Sequence, residues 1–243
     1  MTIDKNTRKN RVLESIIRTH TGSALPVGSK YIARKLGLSS ATIRNVMFEL
    51  EREGYIKQPH TSAGRVPTDL GYRKYVDNMA SSKKSRPQGF FAQLKRRIIG
   101  KKFYEEIIEE LSSTISRVTR YTGIALSPGH KLYFDGTYHM LEHPEFAHTA
   151  LARDFLRILE EKDGFLRVLT EDLDGAGTKI RIGRENTFEE LKECSMVTST
   201  YTFRRRISGN IGIIGPMRMK YDEIVPVVEE LADLTTEVLE GLI

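Results

Sequence analysis

Cysteine is almost absent. Cys194 is the single thiol in 243 residues, which excludes an internal disulfide and suits a reducing compartment. Long apolar runs are absent too: no stretch comes near the ~18 apolar residues that a membrane-spanning helix needs, so no membrane partner is expected. The opening MTIDKNTRKNR has charges with no apolar core behind them, so no secretory signal is expected there and the chain is expected in the cytoplasm. No phosphate-cradling Gly-rich loop occurs, and the isolated Gly175-Ala176-Gly177 is expected in an ordinary loop. Acid is scarce at the start. Residues 1–103 carry 22 Lys/Arg against 7 Asp/Glu (+15), whereas residues 104–243 carry 16 against 25 (−9), giving the net +6. A basic part joined to an acidic one suggests a polyanion binder coupled to something that is not one. A solvated basic surface fits the charge equally well.

What is present is a helical pattern interrupted by turn chemistry. Apolar content of 39% permits real cores, and the length fits one large domain or two small ones. Val12, Leu13, Ile16 and Ile17 form one stripe, predicting a helix over about residues 7–20 that Thr21-Gly22 ends. Ser29 is expected to cap a second helix with Ile32 and Leu36 inward, and Gly37 to stop it. Ser39 or Ser40 is expected to cap a third helix running to about Arg52. On that helix, Ile43, Met47 and Leu50 fall on one narrow face, while Ala41, Asn45, Phe48 and Arg52 lie opposite with Arg44 on their flank.

These are base-reading chemistries. Arginine bonds guanine bidentately, asparagine bonds adenine bidentately, and small Ser40 and Ala41 let such a helix sit deep in the major groove. The candidate base contacts are therefore Ser40, Ala41, Arg44 and Asn45. Ser29, Lys30, Ser39 and Thr42 are candidate phosphate contacts near helix N-termini. An exposed polar face on an ordinary three-helix domain is the alternative. Residues 55–58 then alternate like a short strand, Pro59–Gly64 is loop chemistry, and Arg65-Val66-Pro67 returns as an edge strand. This predicts a β-hairpin wing with Lys57, His60, Thr61, Ser62 and Arg65 as backbone donors, although His60 fits a solvated loop histidine as well. Thr68 is expected to start a further helix.

PVGSK, LGLSSATIRN and, above all, QPHTSAGRVPTDLGYRKYVD resemble the DNA-binding end of HrcA, a family of bacterial heat-inducible transcription repressors. LYFDGTYHMLEHPEF (132–146) and GNIGIIGPMRMKYDEIVPVVEEL (209–231) resemble later blocks of the same family, so the resemblance covers most of the chain. It implies a repressor of chaperone genes that binds an inverted-repeat operator as a homodimer, is kept active by the chaperonin, and is inactivated by heat. It also implies work on the nucleoid of a bacterial cytoplasm, without a cofactor. The chain departs from the family where residues 122–128 run almost directly into Leu132, in place of a long inserted dimerisation segment. Val46 and Phe48 depart as well, standing where the family has an acid and a small residue.

Residues 81–89 read as a linker. With Lys83, Lys84 and Arg86, and then Lys95, Arg96, Arg97, Lys101 and Lys102, the run carries no acid; it either extends a phosphate footprint or is solvated. Helices are expected over about 103–121, from Pro144 to about Glu161, and over 223–242; strands are expected at 123–126, 132–134, 179–183, 196–203 and 206–214. The fold class is thus α+β: a winged helix-turn-helix over 1–80, a basic linker over 81–98, and a GAF-like domain, an antiparallel sheet with flanking helices, over 99–243. With the family's dimerising segment absent, Ile108, Leu111, Ile115, Val227, Leu231 and Leu234 are the candidate dimer contacts. His139-Met140-Leu141-Glu142-His143 spells the inverted zincin string of a zinc hydrolase, but Pro144 disfavours the helix it needs, so no metal is expected. A small-molecule-sensing regulator is the other alternative, resting on fold analogy alone.

Overall fold

The computed structural model describes residues 5–79, 88–147 and 149–241. The chain divides into two compact units, Met1–Lys83 with Met217–Lys220, and Lys84–Pro216 with Tyr221–Ile243.

Unit 1 contains α1 (Lys5–Ser23), α2 (Ser29–Leu36), α3 (Ser40–Arg52), β1 (Ile56–Lys57), β2 (Val66–Pro67) and α4 (Asp69–Met79). The stripe Val12, Leu13, Ile16 and Ile17 meets Ile32 of α2, the Ile43–Met47–Leu50 face of α3, and Tyr72 and Val76 of α4 in one buried core. Each such side chain contributes about 1.5–3 kcal/mol by leaving water. α1 runs past the expected stop at Thr21-Gly22 to Ser23, and Ala24 then takes positive φ. Gly37 ends α2 in left-handed conformation, φ 66°, as expected. β1 and β2 pair antiparallel, Ile56 opposite Pro67 and Lys57 opposite Val66. Gly71 of α4 lies against the carbonyl of Tyr55, where a Cβ would clash, so glycine sets how closely α4 approaches the hairpin.

Unit 2 contains α5 (Gln88–Ile98), α6 (Tyr104–Thr119), β3 (Thr122–Leu126), β4 (Leu132–Asp135), α7 (Tyr138–Leu141), α8 (Thr149–Glu160), α9 (Lys162–Glu171), β5 (Thr178–Ile182), β6 (Cys194–Phe203), β7 (Arg206–Pro216) and α10 (Tyr221–Glu240). The five strands form one antiparallel sheet in the order β4-β3-β7-β6-β5. Helices cover both faces. Ile124, Leu126, Met196 and Ile214 share a buried cluster with Phe155 and Leu159 of α8 and Phe165 and Leu169 of α9. On the other face Gly123 lies against the backbone of Ser112, which admits α6 close to β3, and Tyr221 of α10 bonds Ser195 of β6, Oη to Oγ 2.6 Å. Double coverage explains why all five residues of β3 are buried. Mixed helices and an antiparallel sheet make the fold α+β.

Three sequence expectations change here. Residues 88–98, read as the end of a linker, form α5, with Phe91, Leu94 and Ile98 buried; Lys95 pairs with Glu237 and Arg97 with Glu110 (2.8 Å). Lys83, Lys84 and Arg86 lie outside the described residues. The single helix expected from Pro144 is a 3₁₀ turn, Pro144–Ala147, followed by α8, and then by α9, which was not expected. The six candidate dimer residues are corrected outright. Ile108, Leu111, Ile115, Val227, Leu231 and Leu234 are all buried within the single chain, so α6 and α10 spend these stripes on the unit's own core.

Candidate nucleic-acid interface

α3 is built to hold one face in the core and offer the other. Its N-terminus is capped by Ser39, whose Oγ accepts the Thr42 N–H at 3.0 Å and lies 2.8 Å from Thr42 Oγ1. These two hydroxyls therefore organise the helix start. Ser39→Ala is expected to lower stability by about 1 kcal/mol, read as a lower melting temperature of the full chain. Ser29 is not the α2 cap; Gly28 occupies that position, and Ser29 Oγ instead lies 3.3 Å from Ser40 Oγ, linking α2 to α3 across the turn.

With Ile43, Met47 and Leu50 buried, the outer face carries Ala41, Arg44, Asn45 and Phe48, all exposed. Neither Arg44 nor Asn45 has a hydrogen-bond or ion-pair partner among the described residues. A guanidinium and an amide thus stand one residue apart beside a helix N-terminus whose dipole favours anions. Lys30 of α2 is exposed as well.

The hairpin adds a second set of donors. Lys57, His60, Thr61 and Ser62 are exposed along it. Gln58, which the sequence did not single out, shapes its loop by donating Nε2 to the carbonyls of Thr61 (2.8 Å) and Ala63 (3.1 Å). Arg65 differs from expectation. It is half-buried, its guanidinium pairs with Glu51 of α3 at 2.9 Å, and its backbone exchanges two hydrogen bonds with Val27. Arg65 therefore anchors the hairpin to α3 and to the segment before α2. Gly64 beside it permits that approach, since a Cβ would sit 2.6 Å from the Val27 carbonyl.

The zincin-like string does not assemble. α7 ends at Leu141, so His143 lies beyond it. His139 is 3% exposed, with Nδ1 3.5 Å from Glu142 Oε1. Glu142 pairs with Arg120, whose hydrogen bond holds its carboxyl below the usual range. The His143 ring stacks on Tyr121 at 5.3 Å. Among the described residues no group of three His, Cys, Asp or Glu is placed to hold a metal ion. Burial pushes the Cys194 thiol up, away from the reactive thiolate. No described helix is long and apolar enough to cross a membrane.

Comparison with known proteins gives the family. Residues 129–225 match the family model described as the HrcA protein C terminal domain. A relative from Symbiobacterium thermophilum is 32% identical over 332 residues, covering 95% of this chain and 97% of the relative. One from Acetivibrio thermocellus is 29% identical over 340 residues, covering 97% of each. Both are named heat-inducible transcription repressor HrcA. These matched spans exceed the 243 residues of this chain, so the relatives carry residues with no counterpart here. A solved structure described only as a hypothetical protein shares the fold, with a TM-score of 0.84 over all of both chains at 19% identity. The class this defines is a transcription repressor. The chain belongs to the HrcA family of heat-inducible transcription repressors.

Proposed function

We propose that unit 1 is a winged helix-turn-helix that reads DNA, with α3 in the major groove and the β1–β2 hairpin as the wing on the flanking backbone or minor groove. One observation carries this reading: Arg44 and Asn45 stand exposed on α3, without a partner among the described residues, opposite a face wholly committed to the core. Ser40 and Ala41 let the helix approach the base edges, and Lys57, His60, Thr61 and Ser62 meet phosphates. Arg65 supports the wing from within.

Two copies are needed to read an inverted repeat, so the operator-bound form is a homodimer of two-fold symmetry. Its interface lies elsewhere than on the buried stripes of α6 and α10. Unit 2 is GAF-like in its layout and pairs the readers. Where the family's inserted segment would enter, this chain has a tight β3–β4 hairpin, closed by Ser127 N–H to the Lys131 carbonyl at 2.9 Å. The controlled genes are chaperone genes, and heat acts by lowering the population of folded dimer.

Lys57 tests the wing. Lys57→Ala is expected to weaken binding uniformly across operator variants and to make the dependence of log K on log salt shallower by about 1 per chain. Anisotropy titrations at several salt concentrations measure this; an unchanged slope would remove the wing from the interface.

A further inference from the structure

The β6–β7 hairpin of unit 2 closes with a two-residue loop: Phe203 pairs with Arg206, leaving Arg204 and Arg205 between them. Both take left-handed backbone, φ 53° and 59°. Such loops match the twist of the flanking strands, but they favour Asn-Gly or Gly-Gly, because a side chain at positive φ is strained. Two consecutive arginines run against that preference, and the surroundings hold them in it. Glu240 Oε1 accepts the Arg205 N–H at 2.8 Å. Ser208 Oγ donates to the carbonyls of Phe203 (3.2 Å) and Arg206 (2.9 Å).

The backbone of the tip is thus fastened while its cations are left outward. Arg204, Arg205 and Arg206 are all exposed. The Arg204 guanidinium lies over the Phe203 ring at 5.3 Å, and none of the three has a carboxylate partner among the described residues. Glu240 is occupied by the backbone and by the Thr202 hydroxyl at 3.4 Å. Three arginines without a side-chain ion pair among the described residues stand together in the part of the chain where acids outnumber bases, 25 to 16.

We propose that the Arg204–Arg206 tip is a second nucleic-acid contact, gripping phosphodiester backbone outside the footprint of α3 and the wing. Guanidinium suits this partner: it is a planar fork that bonds phosphate bidentately and sheds water more readily than an ammonium. Backbone strain held in place by specific contacts, at an exposed tip whose cations face outward, fits a binding tip. Nucleic acid is favoured over an acidic protein because adjacent guanidinium forks match the repeated, bidentate-accepting phosphates of a backbone, and because the same chain is proposed above to bind duplex. This choice rests on the reading of unit 1 proposed above.

The test compares the full wild-type chain with the double variant Arg204→Asn, Arg205→Gly, whose residues suit the turn. Binding to a random-sequence duplex longer than the unit 1 footprint is titrated by anisotropy across a salt series, with melting temperatures measured alongside. The variant is expected to melt a few degrees higher yet bind more weakly, with a salt slope shallower by about 2 per chain, one for each lost phosphate contact. A purely structural tip would move only the melting temperature. Unchanged affinity and slope, with a wild type that binds duplex, would overturn the tip contact and leave the α3 reading standing. A wild type that binds no duplex at low salt would remove both.

Discussion

Asp172→Ala is expected to destabilise unit 2 by about 3 kcal/mol, the low end of the range for breaking a buried ion pair. Asp172 is 1% exposed, in a single 3₁₀ turn after α9. Its carboxylate accepts both guanidinium nitrogens of Arg181, one at 2.8 Å, and the Thr198 hydroxyl at 3.1 Å; Lys179 Nζ lies 3.5 Å away. It therefore ties the segment after α9 to β5 and β6, and this bond raises the Arg181 guanidinium above its ordinary value. Removing it strands the Thr198 hydroxyl in the core and leaves Arg181 half-buried without an acceptor. Arg181 keeps some access to water, which is why the low end applies. Melting should fall by about 6–12 °C for a chain of this size, measured by circular dichroism or calorimetry. On the proposal that heat acts through the folded population, this loss of stability also lowers operator occupancy. Derepression should set in at a correspondingly lower temperature. An unchanged melting temperature would show that the cluster contributes nothing net.

Arg44→Ala is expected to act on the other unit and in the other way. Loss of one bidentate base contact costs about 1–3 kcal/mol, roughly 5- to 150-fold in operator affinity, and relaxes preference at a single base pair. Arg44 is exposed, so stability should stay within about 0.5 kcal/mol of wild type, read as a nearly unchanged melting temperature. The contrast would separate the units: Asp172→Ala changes how much protein is folded, and Arg44→Ala changes what the proposed reader recognises. Titrations of every single-base variant of a half-site, with wild type and Arg44→Ala side by side, locate the base. Equal affinity of the two proteins for the operator would contradict base reading by Arg44.

Unit 1 was largely legible because its signals are local. The period of Ile43, Met47 and Leu50, the Ser39 cap and the Gly37 stop lie within a few residues of what they determine. The hairpin was legible for the same reason. Arg65 was misread as a solvent-facing donor because its partner, Glu51, sits 14 positions away on another element, and sequence does not display such pairings. Unit 2 shows the limit more plainly. The stripes Ile108–Leu111–Ile115 and Val227–Leu231–Leu234 announced buried helix faces, but periodicity does not say whether the covering surface is the same chain or a second copy. α5 was hidden by its cations, since Phe91, Leu94 and Ile98 already had helical spacing within the basic run. α9 was missed because Gly164 near its start weakens the helical signal; in the fold it packs against the Phe188 ring, which a Cβ would have to displace.

On the proposed function, two copies of α3 read the two halves of a symmetric site. The most direct measurement is selection of bound duplexes by the full wild-type chain from a random pool, below and above its melting temperature. The predicted result is an enriched inverted repeat below melting, with half-sites about one helical turn apart or a multiple of that, lost above melting and altered at one position per half-site by Arg44→Ala. Enrichment of a site without two-fold symmetry, or of no sequence at all, would contradict it.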